Sequence, residues 1–151
     1  MKKSLLLTLL SAGSLLANVE FDPIYASHMV LQQGKPIPVS GTCNGKGAVT
    51  LTFGDQTVQA SVKGGKWQAT LKPLEVNATG QTLTVTQGSD TATCDDVLVG
   101  EVWLASGQSN MLFRMDETKD TKGMAAANNA KLRICRMEPQ VHTAAKAYTD
   151  A

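Results

Sequence analysis

The stretch GAVTLTFGDQTVQASVKGGKWQATL, Gly47–Leu71, decides the fold class. In it Val49, Leu51 and Phe53 alternate with Thr50 and Thr52, and Val58, Ala60 and Val62 with Gln59 and Ser61. Trp67, Ala69 and Leu71 alternate in the same way with Gln68 and Thr70. A period of two turns one face to a core and the other to water, so the pattern predicts three half-buried strands. Gly45-Lys46-Gly47, Gly54-Asp55 and Gly64-Gly65 supply the turns around them. Working outward, QTLTVTQG (Gln81–Gly88) repeats the alternation through Leu83 and Val85. HMVLQQGKPIPVSGT (His28–Thr42) reads as two short strands punctuated by Gly34-Lys35-Pro36. Short strands at intervals of ~8–12 residues predict an antiparallel β-sandwich domain. It is expected over residues 18–96 and needs no helix.

Trp67 has two readings: a platform on which a sugar ring stacks, or a core residue. Its place on an alternating strand favours the core.

At Val97 the pattern changes. VLVGEVWLAS (Val97–Ser106) is nearly continuous in apolar residues, which suits a strand covered on both faces, as in a parallel sheet flanked by helices. TKGMAAANNAKL (Thr121–Leu132) is alanine-rich and predicts a short helix ended by Asn128-Asn129. LRICRM (Leu132–Met137) predicts a further strand. Strand, turn, helix and strand open an α/β domain, and residues 97–151 are expected to be its unfinished start.

Between that first strand and the helical segment lies SGQSNM, Ser106–Met111. A serine at the carboxyl end of a strand projects its hydroxyl beyond the sheet edge, where open α/β sheets bind ligands. Its own backbone N–H and those after it can face a developing oxyanion. Hydrolysis by such a serine also needs a histidine to accept the hydroxyl proton and a carboxylate to orient that histidine. The other reading is that Ser109 caps the next helix. Against a cap, the capping-box position holds Leu112 instead of Glu or Gln. The G-x-S-x-G elbow is not matched either, because Met111 stands at its second glycine.

Met1–Ala17 joins a basic start (Lys2, Lys3), an apolar centre (Leu5–Leu10) and small residues (Ala12, Gly13, Ser14, Ala17). This is the layout of a cleaved secretory signal peptide, and its apolar run falls short of the ~20 residues a bilayer span needs. An exported, periplasmic or extracellular protein is the expectation, with no membrane attachment after cleavage. Over 151 residues the net charge is +1, which gives no electrostatic case for a nucleic-acid partner. Export permits a Cys43–Cys94 disulfide, while three small, partly buried thiols (Cys43, Cys94, Cys135) are the alternative. No Cys/His cluster has the spacing of a zinc site. Asn77-Ala78-Thr79 is a glycosylation sequon, with meaning only in a eukaryotic source.

GEVWLASGQSNM (Gly100–Met111) resembles the nucleophile block of the sialate O-acetylesterase family, secreted esterases of the SGNH-hydrolase superfamily. SHMVLQQGKPIPVSGT (Ser27–Thr42), the β-run and DDVLVGEVWLASGQSNM (Asp95–Met111) are similar to that family's amino-terminal β domain and its junction with the catalytic domain. NNAKLRICRM (Asn128–Met137) resembles its helix-to-strand segment after the nucleophile. Ser40 departs from the family's frequent tryptophan and Cys43 from its usual small residue. The resemblance implies a flavodoxin-like, three-layer catalytic domain and a Ser-His-Asp esterase, without metal or cofactor, removing O-acetyl groups from sialic acids or related sugars. Ser109 matches the nucleophile, and its backbone N–H one oxyanion donor; Gly107, Gln108 and Asn110 match the same block as shapers of the turn. The family's Asp-x-x-His has no counterpart: Tyr25 precedes His28 by three residues, and Pro139 precedes His142. The chain is therefore expected to be an amino-terminal fragment, inactive alone. Two alternatives are an acetylxylan-type esterase, since GQSN does not identify the sugar, and a non-catalytic carbohydrate-binding β-sandwich.

Overall fold

The computed structural model describes residues 19–45 and 47–135. The expected signal peptide and His142 lie outside them. The chain divides into two compact units, Met1–Val102 and Trp103–Ala151.

The first unit holds β1 (Val19–Phe21), β2 (Val30–Gln32), β3 (Ile37–Cys43), β4 (Val49–Phe53), β5 (Gln56–Lys63), β6 (Lys66–Leu71), β7 (Asn77–Gln87) and β8 (Asp90–Gly100). They form one sheet in the order β1-β3-β6-β5-β4-β7-β8-β2. The sheet curls on itself through β5. Its residues from Gln56 to Ala60 pair with β4, and Ser61, Val62 and Lys63 pair with β6. Val39, Trp67 and Leu71 from one half of the curl thereby share a core with Leu51, Phe53, Leu83, Val85 and Val97 from the other.

Alternation works as read on β4 and β6, whose inward residues Val49, Leu51, Phe53, Trp67, Ala69 and Leu71 are all buried. On β5 it does not. Val58 and Ala60 are half-buried and Val62 is exposed, because the strand leaves one half of the sheet for the other at Ser61.

Trp67 is 1% exposed, and its indole Nε1 donates to the carbonyls of Glu20 (3.0 Å) and Thr42 (3.2 Å). The ring crosses β3 at Gly41 and meets Phe21 edge-on, with centroids 5.7 Å apart. This glycine is a packing requirement, because a side chain there would strike both the indole and β1. Gln87, also buried, closes the β3–β4 turn by donating to the carbonyls of Gly45 and Gly47 and accepting from the Gly45 N–H. Cys43 and Cys94 are buried free thiols. Burial, and then the neighbouring Asp95 carboxylate, push the Cys94 thiol above its ordinary pKa.

Three expectations are corrected. The pairing is not antiparallel throughout, because β2 lies parallel to β8, Val30 opposite Leu98 and Gln32 opposite Gly100. Val97 does not begin a new sheet: Val97, Leu98 and Val99 are the buried end of β8, a strand that starts at Asp90 and pairs with β7. They read as a continuous apolar run because all three side chains are buried, while β7 and β2 pair with the two edges of the strand. The expected boundary between residues 96 and 97 therefore falls inside a strand.

Residues 101–107 carry no regular structure, and in the second unit Trp103 and Leu104 are 85% and 94% exposed. The expected strand does not extend there, since no neighbour among the described residues pairs with it. Helix α1 (Thr121–Ala126) forms as predicted but is shorter, and the Asp120 side chain caps it by accepting from the Gly123 N–H at 2.8 Å. Of the strand expected over Leu132–Met137, residues 132–135 are not a strand and residues 136–137 lie outside the described residues. Among the described residues no helix is long and apolar enough to cross a membrane.

Candidate active site

Ser109 opens a short 3-10 helix, Ser109–Leu112, and is exposed. It does not stand at a strand's tip, because β8 stops at Gly100 and an irregular segment intervenes. The turn is built by the residues around it. The Gln108 carbonyl accepts from Met111 N–H at 2.9 Å, and the Asn110 carbonyl accepts from Phe113 N–H at 3.2 Å. Gly107 leaves room for Met111, whose Cγ would lie 2.8 Å from any Cβ at that position. Gln108, not Ser109, occupies the N-cap position, and its side chain makes no capping bond. Past the turn, Arg114 pairs with Asp116 and its backbone N–H donates to Glu117.

Of the candidate residues, Gly107, Gln108, Ser109 and Asn110 thus share one exposed turn. No histidine lies between Trp103 and Cys135. His28 belongs to the first unit and is occupied there. Its φ is +69°, its N–H donates to the Asp95 carbonyl at 2.8 Å, and its Nδ1 lies 2.7 Å from Asp96 Oδ2. Asp96, also at positive φ, sits in a bulge of β8 where the pairing with β7 slips between Gln81 and Leu83. Those bonds tie the β1–β2 loop to the bulge. Among the described residues, no group of three or more His, Cys, Asp or Glu side chains has the arrangement of a metal site.

One cluster has no local sequence signal. The Gln33 amide donates to Glu101 Oε1 at 2.5 Å and the Gln32 amide to Glu101 Oε2 at 3.3 Å. Gln32 Oε1 accepts from the Val102 N–H at 2.9 Å, and the Gln33 N–H donates to the Gly100 carbonyl at 2.9 Å. The two amides hold the Glu101 carboxyl below its ordinary pKa, Gln33 having the larger effect. Successive residues of a strand point to opposite faces. Both glutamines reach one carboxylate here because β2 ends at Gln32 and the chain turns at Gln33-Gly34.

A groove of about 450 Å³ on the first unit, between the β4–β5 turn and the start of β7, presents Asp55, Glu75, Asn77 and Gln81. Its lining contains no serine, cysteine or histidine.

No protein-family model matches the chain. In sequence it is 36% identical, over an alignment of 96 residues, to a sialate O-acetylesterase of Rattus norvegicus; the match covers 56% of this chain and 18% of that protein. In fold it is similar to a crystal structure of a carbohydrate acetylesterase from Xanthomonas citri, with a TM-score of 0.70 and 30% identity. That match covers 75% of this chain and 26% of the other. The chain thus spans about a fifth of the length of the first protein and about a quarter of the second. In sequence and in fold, over the part it shares with these two proteins, the chain is sialate O-acetylesterase-like.

Proposed function

We propose that this protein is an exported serine esterase that removes O-acetyl groups from sialic acids or related sugars. The observation behind the reading is the agreement of two comparisons, one of sequence and one of fold, on proteins named as acetylesterases. Ser109 is the nucleophile, and residues from Trp103 onward open an SGNH-type α/β domain. Two features of the turn support that role. The capping position belongs to Gln108, and the Ser109 side chain stands exposed at the first residue of the turn.

In the reaction Ser109 Oγ attacks the acetyl carbonyl carbon while its proton passes to a histidine. The carbonyl oxygen becomes an oxyanion that accepts from the Ser109 backbone N–H. The ester C–O bond then breaks and the sugar oxygen leaves with the proton, so that an acetyl-serine remains. Water cleaves it to acetate, with the same histidine as base. No histidine lies in residues 103–135, so the base comes from elsewhere in the polypeptide. The reaction uses no metal and no cofactor.

The test compares the protein expressed from its complete reading frame with its Ser109→Ala variant. Acetate release is followed on O-acetylated sialic acid, acetylated xylan and 4-nitrophenyl acetate. Ser109→Ala should lower kcat by at least ~10⁴-fold, since removal of a triad nucleophile leaves only oxyanion stabilisation and binding. A preference for acetylated xylan would move the substrate to plant glycans. Undiminished turnover by Ser109→Ala would reject the esterase mechanism.

A further inference from the structure

Asn77-Ala78-Thr79 is the one Asn-x-Ser/Thr triplet of the chain, and Glu75 stands two residues before its asparagine. Residues 72–76, which lead into it, carry no regular structure, and β7 begins at Asn77. β7 pairs with β8 at Asn77 opposite Val99 and next at Gln81 opposite Val97. Four steps along β7 thus match two along β8, and the surplus forces Ala78–Gly80 out of the ladder. Gly80 closes the bulge against Asp96, where there is no room for a side chain. Val76 is 67% exposed, and Glu75, Ala78, Thr79 and Gly80 are exposed with it.

Within the bulge Asn77 Oδ1 accepts from the Thr79 N–H at 2.8 Å, an Asx turn that joins the two ends of the triplet. That turn needs only an acceptor at position 77, and aspartate would serve it equally. It uses neither the amide nitrogen of Asn77, nor the Thr79 hydroxyl, nor the Glu75 carboxylate. Among the described residues none of these three groups has a hydrogen-bond or ion-pair partner. Folding accounts for the turn and leaves the identity of all three side chains without a cause.

We infer that Asn77 is an acceptor for N-linked glycosylation, with Thr79 as the hydroxyl that the transferase reads and Glu75 as the acidic residue that bacterial transferases of this type require. The triplet alone points to a eukaryotic source; the carboxylate at position 75 extends it to a bacterial one. The inference rests on the export included in the function proposed above, since such transferases act across a membrane from the cytoplasm. The donor is an oligosaccharide on a polyprenyl pyrophosphate. Asn77 Nδ2 forms a bond to C1 of the first sugar, and the bond from C1 to the pyrophosphate oxygen breaks. Polyprenyl pyrophosphate leaves with that electron pair, and one amide proton passes to a base of the transferase. Nothing is oxidised or reduced.

The experiment uses the folded protein from its complete reading frame, a polyprenyl-pyrophosphate oligosaccharide and a purified bacterial oligosaccharyltransferase. A parallel arm translates the chain into eukaryotic secretory membranes. Peptide mass spectrometry should find one oligosaccharide on the peptide that carries Asn77 in both arms. Asn77→Asp and Thr79→Ala both keep the turn, whose donor is a backbone N–H, so their thermal midpoints should match the parent while the mass gain is lost. Thr79→Ser should restore it. Glu75→Gln should lose the gain in the bacterial arm and keep it in the eukaryotic one. No gain in either arm overturns the inference, as does a gain that survives Asn77→Asp or Thr79→Ala. A bacterial gain indifferent to Glu75→Gln, or seen only in the eukaryotic arm, overturns the role of Glu75. Modification only after unfolding in urea overturns presentation by the bulge. Fractionation of the expressing cells reads export separately: a chain retained in the cytoplasm rejects export, while the purified arm still decides whether Asn77 is an acceptor.

Discussion

Replacing Gly41 with alanine would put a methyl carbon 1.9 Å from the Glu20 carbonyl oxygen and 2.8 Å from two carbons of the Trp67 ring. A Cβ essentially never comes within 3.0 Å of another heavy atom, so β1 has to retreat by about 1 Å and the indole has to tilt away. Overpacking of this kind costs ~1–3 kcal/mol. A tilted ring also loses its bonds to the Glu20 and Thr42 carbonyls, at ~1 kcal/mol each. Gly41→Ala should therefore destabilise the protein by about 3–5 kcal/mol, a large share of the ~5–15 kcal/mol available to a domain. Urea unfolding followed by tryptophan fluorescence can measure it. Of the two tryptophans, Trp103 is 85% exposed and Trp67 1%, so the buried indole dominates the spectral change. In a Trp67→Phe background the indole share of the penalty is absent, and the two substitutions should couple by more than ~0.5 kcal/mol. A Gly41→Ala cost below ~0.5 kcal/mol, or strict additivity with Trp67→Phe, would show that the indole does not depend on this glycine.

Gln87→Leu leaves the Gly45 and Gly47 carbonyls without their buried partner and should cost ~2–3 kcal/mol in urea titrations; a loss under ~0.5 kcal/mol would refute that role for the side chain. Because the folded-state pKa of Glu101 is lowered, its contribution is complete above the ordinary carboxylate value of 4.5 and is lost as pH falls through the lowered value. The thermal midpoints of the parent and Glu101→Ala should accordingly differ at neutral pH and converge in acid; a gap that widens in acid would contradict the sign. Iodoacetamide at about pH 8 should label Cys135 in the native protein, and Cys43 and Cys94 only after unfolding, because both are buried and the Cys94 thiol titrates above its ordinary range. Equal labelling of all three, read by peptide mass spectrometry, would exclude this packing.

The period-two pattern was legible where a strand keeps one face inward along its whole length, as β4 and β6 do, and it placed Trp67 in the core. It misled on β5, because pattern reading assumes one sheet per strand and this one belongs to both halves. The run from Val97 misled for a different reason. Burial on both faces was inferred correctly for Val97–Val99, but the neighbours are β7 and β2 of the same curled sheet, and the second of these pairs in parallel from 68 residues away. The run's continuation through Trp103 and Leu104 looks identical in sequence yet has no neighbour among the described residues of its own unit. For the site, the Gly107–Asn110 turn was readable because its bonds are local. The grip of Gln32 and Gln33 on Glu101 was not, since its partners are 68 and 69 residues apart and only the fold brings them together.

The parallel pairing of β2 with β8 also dictates an order of assembly. β3 to β6 are neighbours in sequence or nearly so, and can pair while later residues are still being synthesised. β2, made before any of them, has no partner until Leu98–Gly100 emerges, and Leu31 stays uncovered until then. Closure of so long a loop is slow compared with the hairpins. Completion of the β unit thus waits for its final residues, and any polypeptide released before Gly100 keeps an orphaned strand and an open core that invite aggregation.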